Sequence, residues 1–204
     1  MAILRQLRAA AILTLALAVL TGVLYPGAVT AVAHLAFPQQ ATGSLVMVDG
    51  RVVGSRLIGQ RFTQPWYFHG RPSAAGAGYD GTASGGTNKG PTDATLAVAV
   101  AARVDTAVAE GAVHGSVPSD LVTASASGLD PHISPANARL QVARVARARH
   151  ADSAAVAALV ERHVEGRQFG VLGEPRVNVL LLNIALDRLA RRPAAPGTPD
   201  SSRP

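Results

Sequence analysis

The chain has 204 residues and is 48% apolar, enough for one domain with attachments. It has no cysteine, which excludes disulfides, thiolate metal sites and a thiol nucleophile. Its net charge of +6 comes almost wholly from arginine, and those arginines are dispersed without interleaved aromatics, which argues against a nucleic-acid partner.

Arg5 and Arg8 precede a long run without charge, and residues 9–33 are almost wholly apolar. As a helix this run covers a bilayer core of about 30 Å. Ala31-Val32-Ala33 also reads as a cleavage site, so a signal peptide and a permanent single-pass anchor both fit the pattern. Both put Arg5 and Arg8 in the cytoplasm and carry the chain after residue 34 across the membrane. Phe37-Pro38-Gln39-Gln40 ends the segment.

Asp49-Gly50, between Leu45–Val48 and Arg51–Val53, predicts a hairpin. The stretch RLIGQRF at 56–62 suggests a further short strand. Residues 63–91 are rich in Gly, Ser, Thr and Pro, yet Phe62, Trp66, Tyr67, Phe68 and Tyr79 cluster here, which argues for an ordered loop. Thr92 is expected to cap a helix with Asp93 in its first turn, a buried stripe at Leu96, Val100, Val104 and Val108, and a stop at Gly111. The segment VPSDLVTA at 117–124 reads as a short strand. Ser134-Pro135 predicts the start of a helix to about Arg149, Asp152 caps another over 153–164, and 178–190 reads as a buried helix after a turn-rich connector at 166–175. The Arg/Pro-rich residues 191–204 read as a disordered tail.

The stretch TASASGLDPHISP at 123–135 holds the residue types of a hydrolytic site. In that reading Ser127, His132 and Asp130 serve a stand-alone, membrane-anchored hydrolase or binding protein. It lacks a G-x-S-x-G elbow. The competing reading makes Asp130-Pro131 a turn, Ser134 a helix cap and His132 a packed side chain. No H-x3-H or H-E-x-x-H spacing predicts a metal site. Ser84, Gly85, Gly86 and Asn88 are the candidates for nucleotide contact, but Lys89 is followed by Gly90-Pro91 rather than by the Ser or Thr of a phosphate loop.

Taken together, these segments resemble one family. TGVLYPGAVT, FPQQATGSL, GSRLIGQRF, YFHGRPSA, SGGTNKGP, the long run from VPSDLV through SGLDPHISP, and VNVLLLNIALD are similar to KdpC, the C subunit of the bacterial high-affinity potassium-transporting ATPase. The resemblance covers roughly residues 20–190. Asp80, Thr87 and Ala126 stand where the family has Asn, Ser and Gly. It implies a retained helix, hence a single-pass protein of the bacterial cell membrane with one mixed α/β extracytoplasmic domain, a small sheet and about four helices. The implied boundaries are 1–8 cytoplasmic, 9–33 transmembrane, 34–190 extracytoplasmic and 191–204 tail.

The implied partners are a potassium-selecting channel-like subunit, a P-type ATPase subunit, a small single-span subunit and membrane lipid. The implied function is non-catalytic: assembly of the complex and a raised affinity of the ATPase subunit for ATP. ATP lies on the cytoplasmic side, where this chain offers only about eight residues. The expectation is therefore an indirect effect on ATP use, with no cofactor bound firmly in this chain. Tyr67, Arg71, Pro72, Ser127, Gly128, Asp130, His132, Ser134 and Asn178 are expected to be architectural and interface residues. Asp80, Asp120 and Asp130 are the carboxylates that could act locally on potassium.

Overall fold

The computed structural model describes residues 2–190; the expected tail at 191–204 lies outside them. It divides into two compact units, with the boundary between Ser55 and Arg56.

The first unit begins with one continuous helical run, Ala2–Ala36, long and apolar enough to cross a membrane. It comprises α1 (Ala2–Val19), a π-helical turn (Leu20–Leu24) and α2 (Tyr25–Ala36). The π turn has a local cause. Pro26 has no N–H to give and its ring crowds the carbonyl one turn back, so the helix widens just before it, and the Tyr25 N–H reaches the Leu20 carbonyl. A single turn, α3 (Pro38–Ala41), follows Phe37. Then β1 (Leu45–Val48) and β2 (Arg51–Ser55) pair antiparallel. Asp49 and Gly50 both have positive φ, 50° and 76°, as the predicted tight turn requires.

The second unit comprises α4 (Ala94–Ala109), the single turn α5 (Ser119–Val122), α6 (Pro135–Arg149), α7 (Ser153–Arg162), α8 (Val179–Ala190) and a three-stranded antiparallel sheet. Its central strand β5 (Arg176–Asn178) pairs with β3 (His132–Ile133) through His132↔Asn178 and with β4 (Val164–Glu165) through Val164↔Val177. The core lies where α6, α7 and α8 meet this sheet. Ala138, Val145, Val156, Val160, Val177, Leu182 and Leu186 are nearly or wholly buried, and Phe68 is the one aromatic sealed among them. Each large aliphatic side chain so buried stabilises the fold by about 1.5–3 kcal/mol.

Most helix ends follow the local chemistry. Ser134 Oγ accepts from Asn137 N–H with Pro135 at the first turn, and Asp152 accepts from Ala154 N–H. Gly111 ends α4 with φ +107°. Four expectations are corrected. The cap of α4 is Asp93, not Thr92: its carboxylate accepts from Thr95 and Leu96 N–H. The stripe Leu96, Val100, Val104 and Val108 is only half-buried, and Ala107 alone is buried on α4, because this helix lies beside α5 and outside the main core. Residues 56–62 form turns and irregular chain instead of a strand. The interval at 117–124 forms the turn α5, where Asp120 is committed to the start of α6.

Candidate functional site

Two loops, 63–91 and 123–131, build the chemically rich face of the second unit. Arg71 ties them together. Its guanidinium donates to Asp130 Oδ2 at 3.2 Å and reaches the Thr123 and Ala124 carbonyls at 3.4 Å. Asp130 Oδ1 accepts the His132 N–H at 2.9 Å and lies 3.4 Å from the His132 ring Nδ1. Burial raises the Asp130 pKa, but hydrogen bonds from the His132 side chain and backbone, with Arg71, outweigh it and hold the carboxyl below its ordinary value. Tyr79 closes the loop from behind, donating to the Arg71 carbonyl at 2.7 Å. Its phenol is pushed up to about 12, first by burial and then by Asp130.

Thr123, Ser127 and Ser134 of the stretch, and Ser73 of the other loop, have their hydroxyls engaged in architecture. Ser127 Oγ accepts from Leu129 N–H, and Thr123 Oγ1 donates to the Ser119 carbonyl. Ser134 donates to Asp120, which also accepts from the Ser134 N–H and from Asn137 Nδ2. Ser73 Oγ donates to the Gly128 carbonyl at 2.6 Å and accepts from Tyr79 N–H. Asp130 and His132 are thus brought together as an acid and a base are in a hydrolase, while Ser127 is engaged by the backbone of its own turn.

The glycine-rich candidates meet the same loop. Ser84 Oγ and Gly85 N–H both donate to the Ser127 carbonyl, at 3.0 and 2.9 Å. A Cβ at Gly86 would stand 2.9 Å from the Ala126 carbonyl oxygen. Gly128 has φ +68°, and a Cβ there would come within 2.6 Å of Ala75 N and 2.7 Å of Gly85 O. Asn88 is exposed, with φ 51°. Two of the donors this segment could offer a phosphate, Ser84 Oγ and Gly85 N–H, are therefore already committed between the loops.

Pro72 is half-buried on the wall of an open cavity of about 550 Å³, which Arg61, Arg71, Arg103 and Glu110 also line. Tyr67 lies elsewhere: its hydroxyl donates to Asp187, and the Arg149 guanidinium sits 5.0 Å over its ring while binding the same carboxylate. Asn178 donates to the Arg56 carbonyl and accepts from Leu181 N–H, so the last residue of β5 also caps α8. Of the candidate carboxylates, Asp80 caps its own turn through Thr82, and Asp120 and Asp130 are the two hubs just described.

Sequence reasoning missed the residues that hold Phe68 and His69. Asn183 of α8 accepts the Phe68 N–H and donates to its carbonyl, at 2.9 and 3.0 Å. Gln141 of α6 does the same for His69, at 2.7 and 3.1 Å. Two amide side chains thus pair with consecutive backbone units as a strand would. The signal was present: Asn137 and Gln141 share the inward stripe of Ala138, Val142 and Val145, and Asn183 sits beside Leu182 and Leu186.

Comparison with known proteins identifies the family. A family model described as "KdpC: K+-transporting ATPase, c chain" matches residues 7–188. The chain belongs to the KdpC family. Among the KdpC relatives, the potassium-transporting ATPase KdpC subunit of Gemmatimonas aurantiaca is 65% identical over 187 residues, covering 91% of this chain and 94% of that one. That of Myxococcus xanthus is 62% identical over 172 residues, 83% and 82% of the two chains. That of Bradyrhizobium diazoefficiens is 51% identical over 201 residues, 93% and 100%.

Proposed function

We propose that this KdpC-family chain is a non-catalytic subunit of an ATP-driven potassium uptake pump. It acts in assembly with the potassium-selecting, ATPase and small single-span subunits, and raises ATP affinity in the ATPase subunit indirectly. The observation that carries this reading is the 123–135 loop, where Arg71, Asp130, Asp120 and Ser134 are consumed in holding two loops and a helix start together. Such a loop presents a fixed surface. The helix Ala2–Ala36, with Arg5 and Arg8 in its first two turns ahead of the apolar run, supports a membrane anchor with a cytoplasmic N-terminus and an outer domain. A chain of net charge +6 does not gather potassium by long-range attraction, which also favours an architectural role. Coupling to ATP use then requires contacts that differ between two states of the complex.

One set of membranes tests both halves. In sealed vesicles carrying the whole complex, a photoreactive ATP analogue is expected to label the ATPase subunit, and not this chain, from the cytoplasmic face. Labelling of this chain from that face overturns the topology. His132→Ala and Ser127→Ala are expected to lower the yield of complex while leaving turnover per assembled complex intact. Normal assembly with lost turnover would restore the catalytic reading.

A further inference from the structure

The connection between β4 and β5 projects an apolar tip that none of the described residues covers. Phe169 is 84% exposed, Val171 72% and Leu172 58%. Gln168 and Leu172 exchange backbone hydrogen bonds at 2.9 Å in both directions, so the tip is a closed hairpin. Phe169 and Gly170 have φ of +55° and +78°, and the Val171 N–H returns to the Gln168 carbonyl. This turn conformation suits Asn or Gly at its first central position, and a bulky aromatic there is strained. A large apolar side chain held in a disfavoured backbone region, and then exposed, contributes nothing to the chain's own stability.

The charges of the stem indicate what covers it. Arg167 binds both oxygens of Glu174, and Glu165 receives Arg176 at 3.2 Å and Arg56 at 3.9 Å. A loop built to enter an anionic lipid surface carries uncompensated cations at its base. Here each of these arginines has a stem carboxylate within 4.0 Å, Arg56 and Arg176 sharing Glu165. A closed, ion-paired stem carrying an aromatic followed by two aliphatic side chains matches the anchor of a protein–protein contact.

We propose that the Phe169–Val171–Leu172 tip is a docking anchor that inserts into an apolar recess on another protein subunit of the potassium-transporting ATPase complex. This rests on the subunit reading above.

The test uses the whole complex, purified through a tag on the ATPase subunit. With the photoreactive residue p-benzoylphenylalanine in place of Phe169, irradiation is expected to join this chain covalently to another subunit. Adducts with lipid alone, or none, overturn the proposal. Phe169→Asn relieves the backbone strain, so the melting temperature of the full chain should hold or rise, while its retention on the complex falls about tenfold or more. Undiminished retention, or a melting temperature that falls together with retention, overturns it. Val113→Asn, at an exposed residue elsewhere (71%), should change neither. If the wild-type chain itself fails to co-purify with the tagged subunit, the subunit reading fails first, and the docking proposal falls with it.

Discussion

The two halves of the second unit are stabilised by different physics. The α6–α7–α8 half is an apolar core with helix caps: Val145, Val156, Val160 and Leu182 are fully buried, and Ser134 and Asp152 close the helix starts. The half built from loops 63–91 and 123–131 has almost no regular structure, and its order comes from backbone groups bonded to side chains. In the first half the cost of a lost methyl group grows with the cavity it leaves. The second depends on close backbone approach and on side-chain-to-backbone hydrogen bonds, so small chemical changes there should cost as much as large ones in the core.

Gly128→Ala should break this comparison most visibly. The added Cβ meets the backbone at Ala75 N and Gly85 O, which are not flexible ends that can swing away, and φ +68° is unfavourable for alanine. A loss of about 3 kcal/mol is expected, or roughly 10 °C in the melting temperature of the full chain. A variant melting within a degree or two of wild type would show that the two loops are not locked together.

Asn183→Leu comes next, and it compares the halves directly. It conserves approximate volume in an apolar setting, so a core account predicts little change. The backbone N–H and carbonyl of Phe68, a residue with no solvent exposure, would however lose the side chain that brackets them. We expect a loss of about 2 kcal/mol, comparable to Val156→Ala in the core, from denaturant unfolding of the two variants. A neutral Asn183→Leu would mean that the loop half is held by apolar contact after all.

This division also explains what the sequence discloses. The Asp49-Gly50 turn, the Ser134-Pro135 helix start and the Asp152 cap were legible because each is decided within a few residues. The expected strands at 56–62 and 117–124 failed because short apolar runs do not select a strand without a partner. The real strand His132–Ile133 exists only because Val177 and Asn178 arrive from far along the chain to pair with it. The half-buried stripe of α4 shows the same limit: period reports a face, while the neighbour decides how deeply it is covered. In the site, Arg71, Asp130 and His132 were named from sequence, but the reach of Arg71 from the other loop to Asp130 was not readable from spacing. Gln141 and Asn183 went unnoticed because a polar residue inside an apolar stripe reads as an interruption until its backbone partner is seen.

The smallest expected effect is a pH dependence that sharpens the same contrast, since the resolved shifts of its two groups both arise in the loop half. The His69 pKa is lowered, first by burial and then by the nearby Arg144 guanidinium. The fold therefore favours the neutral ring, and the unfolded chain binds more protons between the lowered folded value and about 6.5. Stability from this group is complete above about 6.5 and is lost as pH falls through the folded value. Asp130 is a carboxyl with a lowered value: its contribution is complete above about 3.9 and is lost only as pH falls further, through its own folded value. Acid should therefore weaken the fold in two stages, the first below pH 6.5 and the second below pH 4. His69→Gln, which has no proton to gain, should flatten the first stage and leave the second in place when melting temperature is followed from pH 8 to pH 3. A first stage that persists in His69→Gln would assign it to another group and remove His69 from this account.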